Sequence, residues 1–388
     1  MSILGRNRMK NICFFVRGYP TKEDPFFAFI RPVVCSIADN GYKCTVICPQ
    51  SVTSAYHNHV KIRPKHWTDI TDKGNKIDIF QPKYISVSNY EFKGRSLSLM
   101  LEERAFKSGY NLVKKNNFDL IYGHFWDVGM VAADVTDDKI PLVVVTGEDV
   151  INVNKQFDNK KIEKLLPRVN GVISVSTANL MESKTEGLLK LNPKTIVLPN
   201  SVDKKKFCKL DKGDCRNKLG LDPKAKIAIF VGDYVERKGI LRVVEAAKSV
   251  PNLKIIAIGK GPQKPESEQI IFKGTVAHDE LPLYLNAADF FVLPTLAEGC
   301  CNAIIEALAC GLPIISSDLS FNKDVLNENN SILIDPLNVD EIANAIKKLV
   351  SSDSLQDRLS YGALKTSEQL SIDVRGKKIV DFLENVVD

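Results

Sequence analysis

The stretch PTLAEGCCNAIIEALACGLPIISSD (294–318) decides the reading of this chain. It follows the β-branched and aromatic run DFFVLP, which reads as a strand ending at Leu293-Pro294. Glu298-Gly299 then precede NAIIEALAC (302–310), which is apolar at helical spacing and stops at Gly311-Leu312-Pro313. LPIISSD (312–318) is a second apolar run of strand length. Strand, helix, strand in this order is a β-α-β unit, which implies parallel strands and a right-handed crossover. The same alternation runs outward in both directions. KIAIFVG (226–232), GILRVVEAAKSV (239–250), LKIIAIG (253–259), QIIFKG and DELPLYLNAA precede the stretch, and DEIANAIKKLV (340–350) and a helical tail from Gln356 to Val387 follow it. The amino-terminal half repeats the plan with NICFFV (11–16), FFAFIRPVVCSIAD (26–39), KCTVICP (43–49), a helical stretch from Leu97 to Lys115, FDLIYGH (118–124), PLVVVTG (141–147), GVISVS (171–176) and KTIVLPNSVD (194–203). Residues 51–94 are polar and aromatic with weak periodicity and read as loops and small strands.

Two successive α/β halves imply two doubly wound, Rossmann-like domains, with ligands beyond the carboxyl ends of the strands and a central cleft as the expected site. The joint falls near Asn200–Lys206. At 388 residues, and about 150 per domain, two large domains are ordinary, and no disulfide or structural metal is needed to close their cores. Hydrophobic residues make up 44% and charged residues 26%, which excludes a disordered chain. Lys+Arg of 53 against Asp+Glu of 47 leaves +6, a mild excess that permits phosphate or anionic membrane contact without demanding nucleic acid. No segment approaches the roughly 20 apolar residues of a membrane span. ICFFV is too short for a signal sequence. Nine cysteines scattered in apolar runs read as buried free thiols of a reducing compartment, hence the cytoplasm.

The chemistry is concentrated in two segments. In 294–318, Gly299 allows close backbone approach, and the amides of Cys300, Cys301 and Asn302 open a helix whose dipole favours an anion such as a diphosphate. Glu306, one turn in, could accept hydrogen bonds from ribose hydroxyls, and Glu298 could meet sugar hydroxyls at the other end. Two exposed glutamates on an amphipathic helix are the alternative. The order of strand, glycine, helix start and terminator decides for function. In IFVGDYVERKGILRVVEAA (229–247), a strand ends at Gly232, and Lys238-Gly239 open a helix. A lysine there is slightly unfavourable to the helix dipole, and its use is to place a cation on a phosphate leaving group. Cys300 and Cys301 could be read as thiol nucleophiles, but no histidine lies near them in sequence and they serve better as amides. Gly259-Lys260-Gly261 lacks the third glycine and the acidic residue of a dinucleotide fingerprint. His57 and His59 lie in a polar loop and read as solvent-exposed rather than as metal ligands.

RGYP, YGHFWDVG, VVVTGED, PNSVD, FVGDYVERKG, IGKGP, FKGTVAHDELPLYLNAADFFVLP and EGCCNAIIEALACGLP together resemble the family 4 glycosyltransferases (glycosyl transferases group 1), retaining enzymes of GT-B fold. The last block resembles their Glu-x7-Glu motif. The resemblance implies an acceptor-binding Rossmann-like domain over 1–199, a nucleotide-sugar domain over 200–368, and a terminal helix over 369–388 crossing back to the first. It implies that Glu298 contacts the donor sugar, that Gly299 and the amides after it hold the diphosphate with Lys238, and that Glu306 binds ribose. Gly232 joins this donor set, Gly18 faces the donor phosphates and the backbone near Val276 meets the base. Transfer of a hexose from a UDP- or GDP-sugar to a glycan or lipid-linked hydroxyl is implied, without metal or cofactor, in surface polysaccharide assembly. Contact with the inner membrane face is permitted and nucleic acid is not implied.

Three positions depart from the family pattern. Asp233 stands where an arginine is usual, and loss of such a charge-assisted bond would cost about 1.5–3 kcal/mol, leaving open whether Arg237 compensates. Thr146-Gly147-Glu148-Asp149 stands where His-Gly-x-Asp is frequent. His124 is then either a substitute on the sugar and acceptor side or simply a polar strand cap. Ser201 replaces a glycine in PNSVD. An epimerase or hydrolase on the same plan, or a binding subunit that has lost catalysis, remain as alternatives.

Overall fold

The computed structural model describes the chain except residues 1–9, 22, 23, 25, 26, 88–90, 93, 94, 148, 149, 151, 152, 154, 155 and 388. It divides into two compact units: residues 1–175, 179–198 and 376–388, and residues 176–178 with 199–375. Both are doubly wound α/β units, as the alternation of runs implies.

The first unit is built on eight strands: β1 (Asn11–Phe15), β2 (Lys43–Ile47), β3 (His66–Ile70), β4 (Lys76–Phe80), β5 (Leu120–His124), β6 (Leu142–Thr146), β7 (Val169–Ser174) and β8 (Lys194–Val197). Their order is β8-β7-β6-β5-β1-β2-β4-β3, parallel throughout except for the β3–β4 pair. Side chains alternate across a strand. Ile12 and Phe14 of β1 accordingly enter one apolar cluster, while Cys13 and Phe15 enter another on the opposite face. Helix α1 (Ile30–Asp39) buries Ile30, Val33, Val34, Ile37 and Ala38, the i, i+3, i+4 stripe of a helix lying on a sheet. The weakly periodic region 51–94 is more ordered than its sequence implies. It forms helix α2 (Val52–His57), capped by the Ser51 hydroxyl, and the β3–β4 hairpin at the sheet edge. The alternation there is short but real: Ile77 and Ile79 of KIDIF are buried between more exposed polar neighbours.

Helices α3 (Leu97–Val113), α4 (Trp126–Val135), α5 (Asn159–Leu165) and α6 (Thr177–Thr185) follow in the first half of the chain. The second unit has six parallel strands, β9 (Lys226–Val231), β10 (Leu253–Ile258), β11 (Ile270–Gly274), β12 (Phe290–Leu293), β13 (Ile314–Ser317) and β14 (Ser331–Ile334), ordered β11-β10-β9-β12-β13-β14. Its helices are α7 (Lys212–Leu219), α8 (Ile240–Ala247), α9 (Leu281–Ala287), α10 (Asn302–Ala309), α11 (Val339–Ser351) and α12 (Asp353–Gln369). The last helix, α13 (Ile372–Val387), places Ile379, Val380, Phe382 and Leu383 in the first unit's core beside Ile12 and Val46. Among the described residues, no helix is long and apolar enough to cross a membrane. All nine cysteines are free thiols, five buried and four half-buried.

In each unit the order of strands reverses direction once, between β5 and β1 in the first and between β9 and β12 in the second. Such reversals open a crevice at the carboxyl ends of the strands. The glycines of IGKGP have a packing role at the second reversal. Gly232 N–H donates to Ile258 O (2.9 Å) and Tyr234 N–H to Lys260 O (2.8 Å), which draws two loops into contact. A Cβ on Gly259 would stand 1.9 Å from Gly232 O, and one on Gly261 2.5 Å from Tyr234 O. Gly259→Ala is expected to cost about 2–3 kcal/mol, read as a lower urea midpoint at unchanged slope. Unaltered stability would show that the two loops do not touch as described.

Candidate active site

The second unit gathers its charged residues at the strand reversal. The loop after β9 ends in a short 3-10 turn, Glu236–Lys238, and the loop after β12 carries Thr295 to Cys301. Leu296 N–H donates to Arg237 O (2.8 Å), so the loops run side by side. Gly239, at φ +81, leaves no room for a Cβ beside Pro294 O at 2.8 Å and is what allows the approach. Lys238 Nζ donates to Glu298 Oε1 at 2.5 Å. The Thr295 hydroxyl donates to the same oxygen at 2.8 Å, and Arg237 Nη1 stands 3.4 Å away while also bonding Ala297 O. The Glu298 side chain is 4% exposed and that of Lys238 12%. Lys238 and Glu298 are therefore one buried ion pair. Arg237 closes on Glu298, whereas Asp233 is exposed. Arg237, four residues after the position where an arginine is usual, thus adds a second cation beside Glu298.

The segment opening α10 is braced from PNSVD. The side-chain amide of Asn200 donates to Cys300 O (3.0 Å) and to Asn302 Oδ1 (2.9 Å), and its backbone N–H donates to Cys300 Sγ (3.3 Å). Cys301 caps the helix and Asn302 begins it. The first N–H groups of a helix have no intrahelical partner, which fits the amides of Cys301 and Asn302 to receive an anion, with that of Cys300 just ahead of the helix. The two thiols are not activated: burial raises Cys300 to about 11 and Cys301 to about 12.

Glu306, one turn further, accepts a hydrogen bond from His278 Nε2 at 2.8 Å. His278 Nδ1 is 2.8 Å from Lys206 Nζ, and that ammonium also bonds Asp279. An ammonium only donates, so Nδ1 accepts and the ring proton sits on Nε2, pointing at Glu306. The ring also packs against Phe207 at 5.2 Å. Val276 lies half-buried in the same turn, between β11 and α9, against the core. Gly232 ends β9 with Lys238 Cδ 3.6 Å from where its Cβ would be.

In the first unit, Gly18 is buried just after β1, His124 ends β5, and Thr146 and Gly147 lie at the end of β6. Phe125, next to His124, holds φ +79 and ψ 149, a region that side-chain-bearing residues seldom visit. Its N–H donates to Val145 O (2.7 Å), and its carbonyl accepts from Gly129 N–H (2.8 Å), so both sides of the strained residue are fixed. The ring of Phe125 meets His124 at 4.8 Å and approaches Gly147, where a Cβ would come within 4.0 Å. His124, Gly147 and Phe125 are therefore neighbours. Asp149 lies outside the described residues. His57 and His59 are exposed, and no group of three or more His, Cys, Asp or Glu among the described residues could hold a metal ion.

The signals that spacing does not carry are Asn200, His278, Lys206, Thr295 and Phe125. The histidine of VAHDELP stands in plain view, but only folding brings it to Glu306.

Two parallel, doubly wound units of this kind make the GT-B fold. Residues 211–366 match the model of the family described as Glycosyl transferases group 1, so the chain carries a group 1 glycosyl transferase domain. No finding narrows this to family 4. The putative teichuronic acid biosynthesis glycosyltransferase TuaC of Bacillus subtilis (strain 168) is 29% identical over 354 residues, covering 87% of this chain and 88% of that one. The UDP-Gal:alpha-D-GlcNAc-diphosphoundecaprenol alpha-1,3-galactosyltransferase of Escherichia coli is 27% identical, covering 76% and 82%. Among solved structures, the sucrose-phosphate synthase of Thermosynechococcus elongatus aligns with TM-score 0.72 at 18% identity over 98% of this chain and 99% of that one. Anabaena HepE with UDP and glucose aligns at 0.66 and 17%, over 97% and 100%. These two likenesses concern the fold.

Glu298→Ala is expected to destabilise the protein by about 3 kcal/mol by stranding Lys238, and Lys238→Met in the same chain to recover part of it. A single variant as stable as the parent would mean the pair is not formed. Alkylation of Cys300 and Cys301 by iodoacetamide at pH 7.5 is expected to be about a hundredfold slower than that of free cysteine, rising as pH climbs toward 11. Fast labelling at neutral pH would mark them as activated.

Proposed function

We propose that this glycosyltransferase moves a hexose, with retention, from a nucleotide diphosphate sugar to a hydroxyl of a glycan or lipid-linked acceptor in surface polysaccharide assembly. The observation that carries the reading is the Lys238–Glu298 pair at the strand reversal, beside a helix opening braced by Asn200, inside the segment matched by the family. A diphosphate received by the amides of residues 300–302 would draw Lys238 toward its oxygens and free Glu298 for the donor sugar. Cation and helix amides then offset the charge that develops on the leaving group. Alignment of donor and acceptor supplies the remainder, and no covalent nucleophile is invoked. Glu306 already accepts from a ring N–H, which is the bond that ribose hydroxyls would make to it. The first unit supplies the acceptor side, with Gly18, His124, Thr146, Gly147 and Asp149 as its candidates. The names of the Bacillus and Escherichia relatives support a polysaccharide or lipid-linked acceptor. Work at the inner membrane face and independence from metal and cofactor belong to the same proposal.

Asp233, in place of arginine, favours one second reading: a subunit that binds nucleotide sugar without turning it over. A thermal-shift panel of UDP-, GDP- and ADP-sugars identifies the donor, and NMR of the products then reports transfer and the anomer formed. Glu298→Gln should lose transfer while keeping donor binding, and Glu306→Ala should raise the donor KM about tenfold, more than Cys300→Ser does. Binding without turnover on any acceptor or on water would establish the second reading. Full transfer by the Glu298 variant would remove that residue from the mechanism.

A further inference from the structure

Three segments far apart in the chain meet at Glu306. Its side chain, on α10, is 14% exposed, and its Oε1 accepts at 2.8 Å from Nε2 of His278, in the turn between β11 and α9. The other ring nitrogen, Nδ1, accepts at 2.8 Å from Lys206 Nζ, which also donates to Asp279 Oδ1 at 2.5 Å. Phe207, next to Lys206, stands 5.2 Å from the imidazole. The His278 side chain is 54% exposed, so it is not there to fill a core. It is nonetheless held at both nitrogens and by a neighbouring ring.

The order of these bonds has a direction. A ring carrying its proton on Nδ1 would set two donors against each other at 2.8 Å and turn a lone pair toward the carboxylate. Lys206 therefore selects the tautomer that can bond Glu306, and Asp279 keeps Lys206 in place. Glu306 Oε1 is engaged in this way, while Oε2 makes no hydrogen bond among the described residues. A loose glutamate has rotamer freedom to lose when a ligand fixes it, and a carboxylate fixed beforehand spares the ligand that cost. We infer that His278 is a positioning residue for donor recognition: its Nε2–H holds the Glu306 carboxylate by one oxygen and leaves the other for the ribose diol, with Lys206 and Asp279 setting the ring. The inference rests on the reading of Glu306 as the ribose ligand and adds to it the residues that make the glutamate ready.

Calorimetric titration of the full chain with UDP and with GDP, each beside its 2′,3′-dideoxy form, tests this. The parent should hold the ribonucleotide it prefers about tenfold more tightly than the dideoxy form, and Glu306→Ala should erase that difference. His278→Phe keeps a ring beside Phe207 and removes both hydrogen bonds. It should weaken the ribonucleotide about fivefold while affinity for the dideoxy form stays within about twofold. His278→Gln, whose amide can donate to Glu306, should recover most of the loss, and Lys206→Met should show a smaller loss that also depends on the diol. A His278→Phe chain that keeps the full preference for the diol, or that loses affinity for both forms alike, would overturn the inference and leave Glu306 as the ribose ligand. Tighter ribonucleotide binding by that variant would overturn it too, since the ring would then be competing with ribose. No preference for the diol in the parent, or no binding of either nucleotide, would strike the reading of Glu306 and this inference with it.

Discussion

The bond from Lys238 to Glu298 is the constraint on which the second unit's site depends. Neither charge could be held at that depth alone, because an ion away from water needs a partner that compensates for lost hydration. Each therefore fixes the other, and with them the two loops that leave neighbouring strands of the reversal. Thr295 and Arg237 share the same carboxylate, so its position is set from three directions. A ligand that enters does not meet loosely held side chains. It meets a pair whose mutual attraction it must exchange for its own.

The first unit uses paired charge differently. Two of its arginines, Arg17 and Arg63, are committed to carboxylates and a carbonyl rather than left to receive anions. The strained Phe125 belongs to the same logic. Hydrogen bonds on either side hold a backbone geometry that the residue would leave if released, and ring contacts with His124 keep the end of β5 in place. Such strain persists only where surrounding structure over-determines it.

Much of the fold was legible because its strands are short apolar runs and its helices carry an apolar stripe, as in Ile30 to Ala38. The β3–β4 hairpin lies in a region legible only as loops and small strands, because edge strands alternate with polar residues and HWTDI has little apolar weight. Gly259-Lys260-Gly261 lacks the rest of a dinucleotide fingerprint in sequence, and the geometry explains both glycines by the approach of another loop. In the site, Glu298, Glu306 and Lys238 could be singled out from local order of strand, glycine and helix. Asn200, His278 and Lys206 could not, since the groups they bond lie 100, 28 and 72 residues away. Local pattern reports which residues are available, and only long-range packing reports which of them meet.

The final helix carries a consequence for how the protein comes into being. Ile379, Phe382 and Leu383 fill the same core as Ile12, at the opposite end of the chain. A ribosome releases residue 12 long before it makes residue 379, so the earliest strand waits with part of its apolar cover missing. The second unit draws on neither segment for its own core and can settle first. Until the last helix is made, the first unit's core is incomplete, and the apolar surface it would cover is open to misassociation.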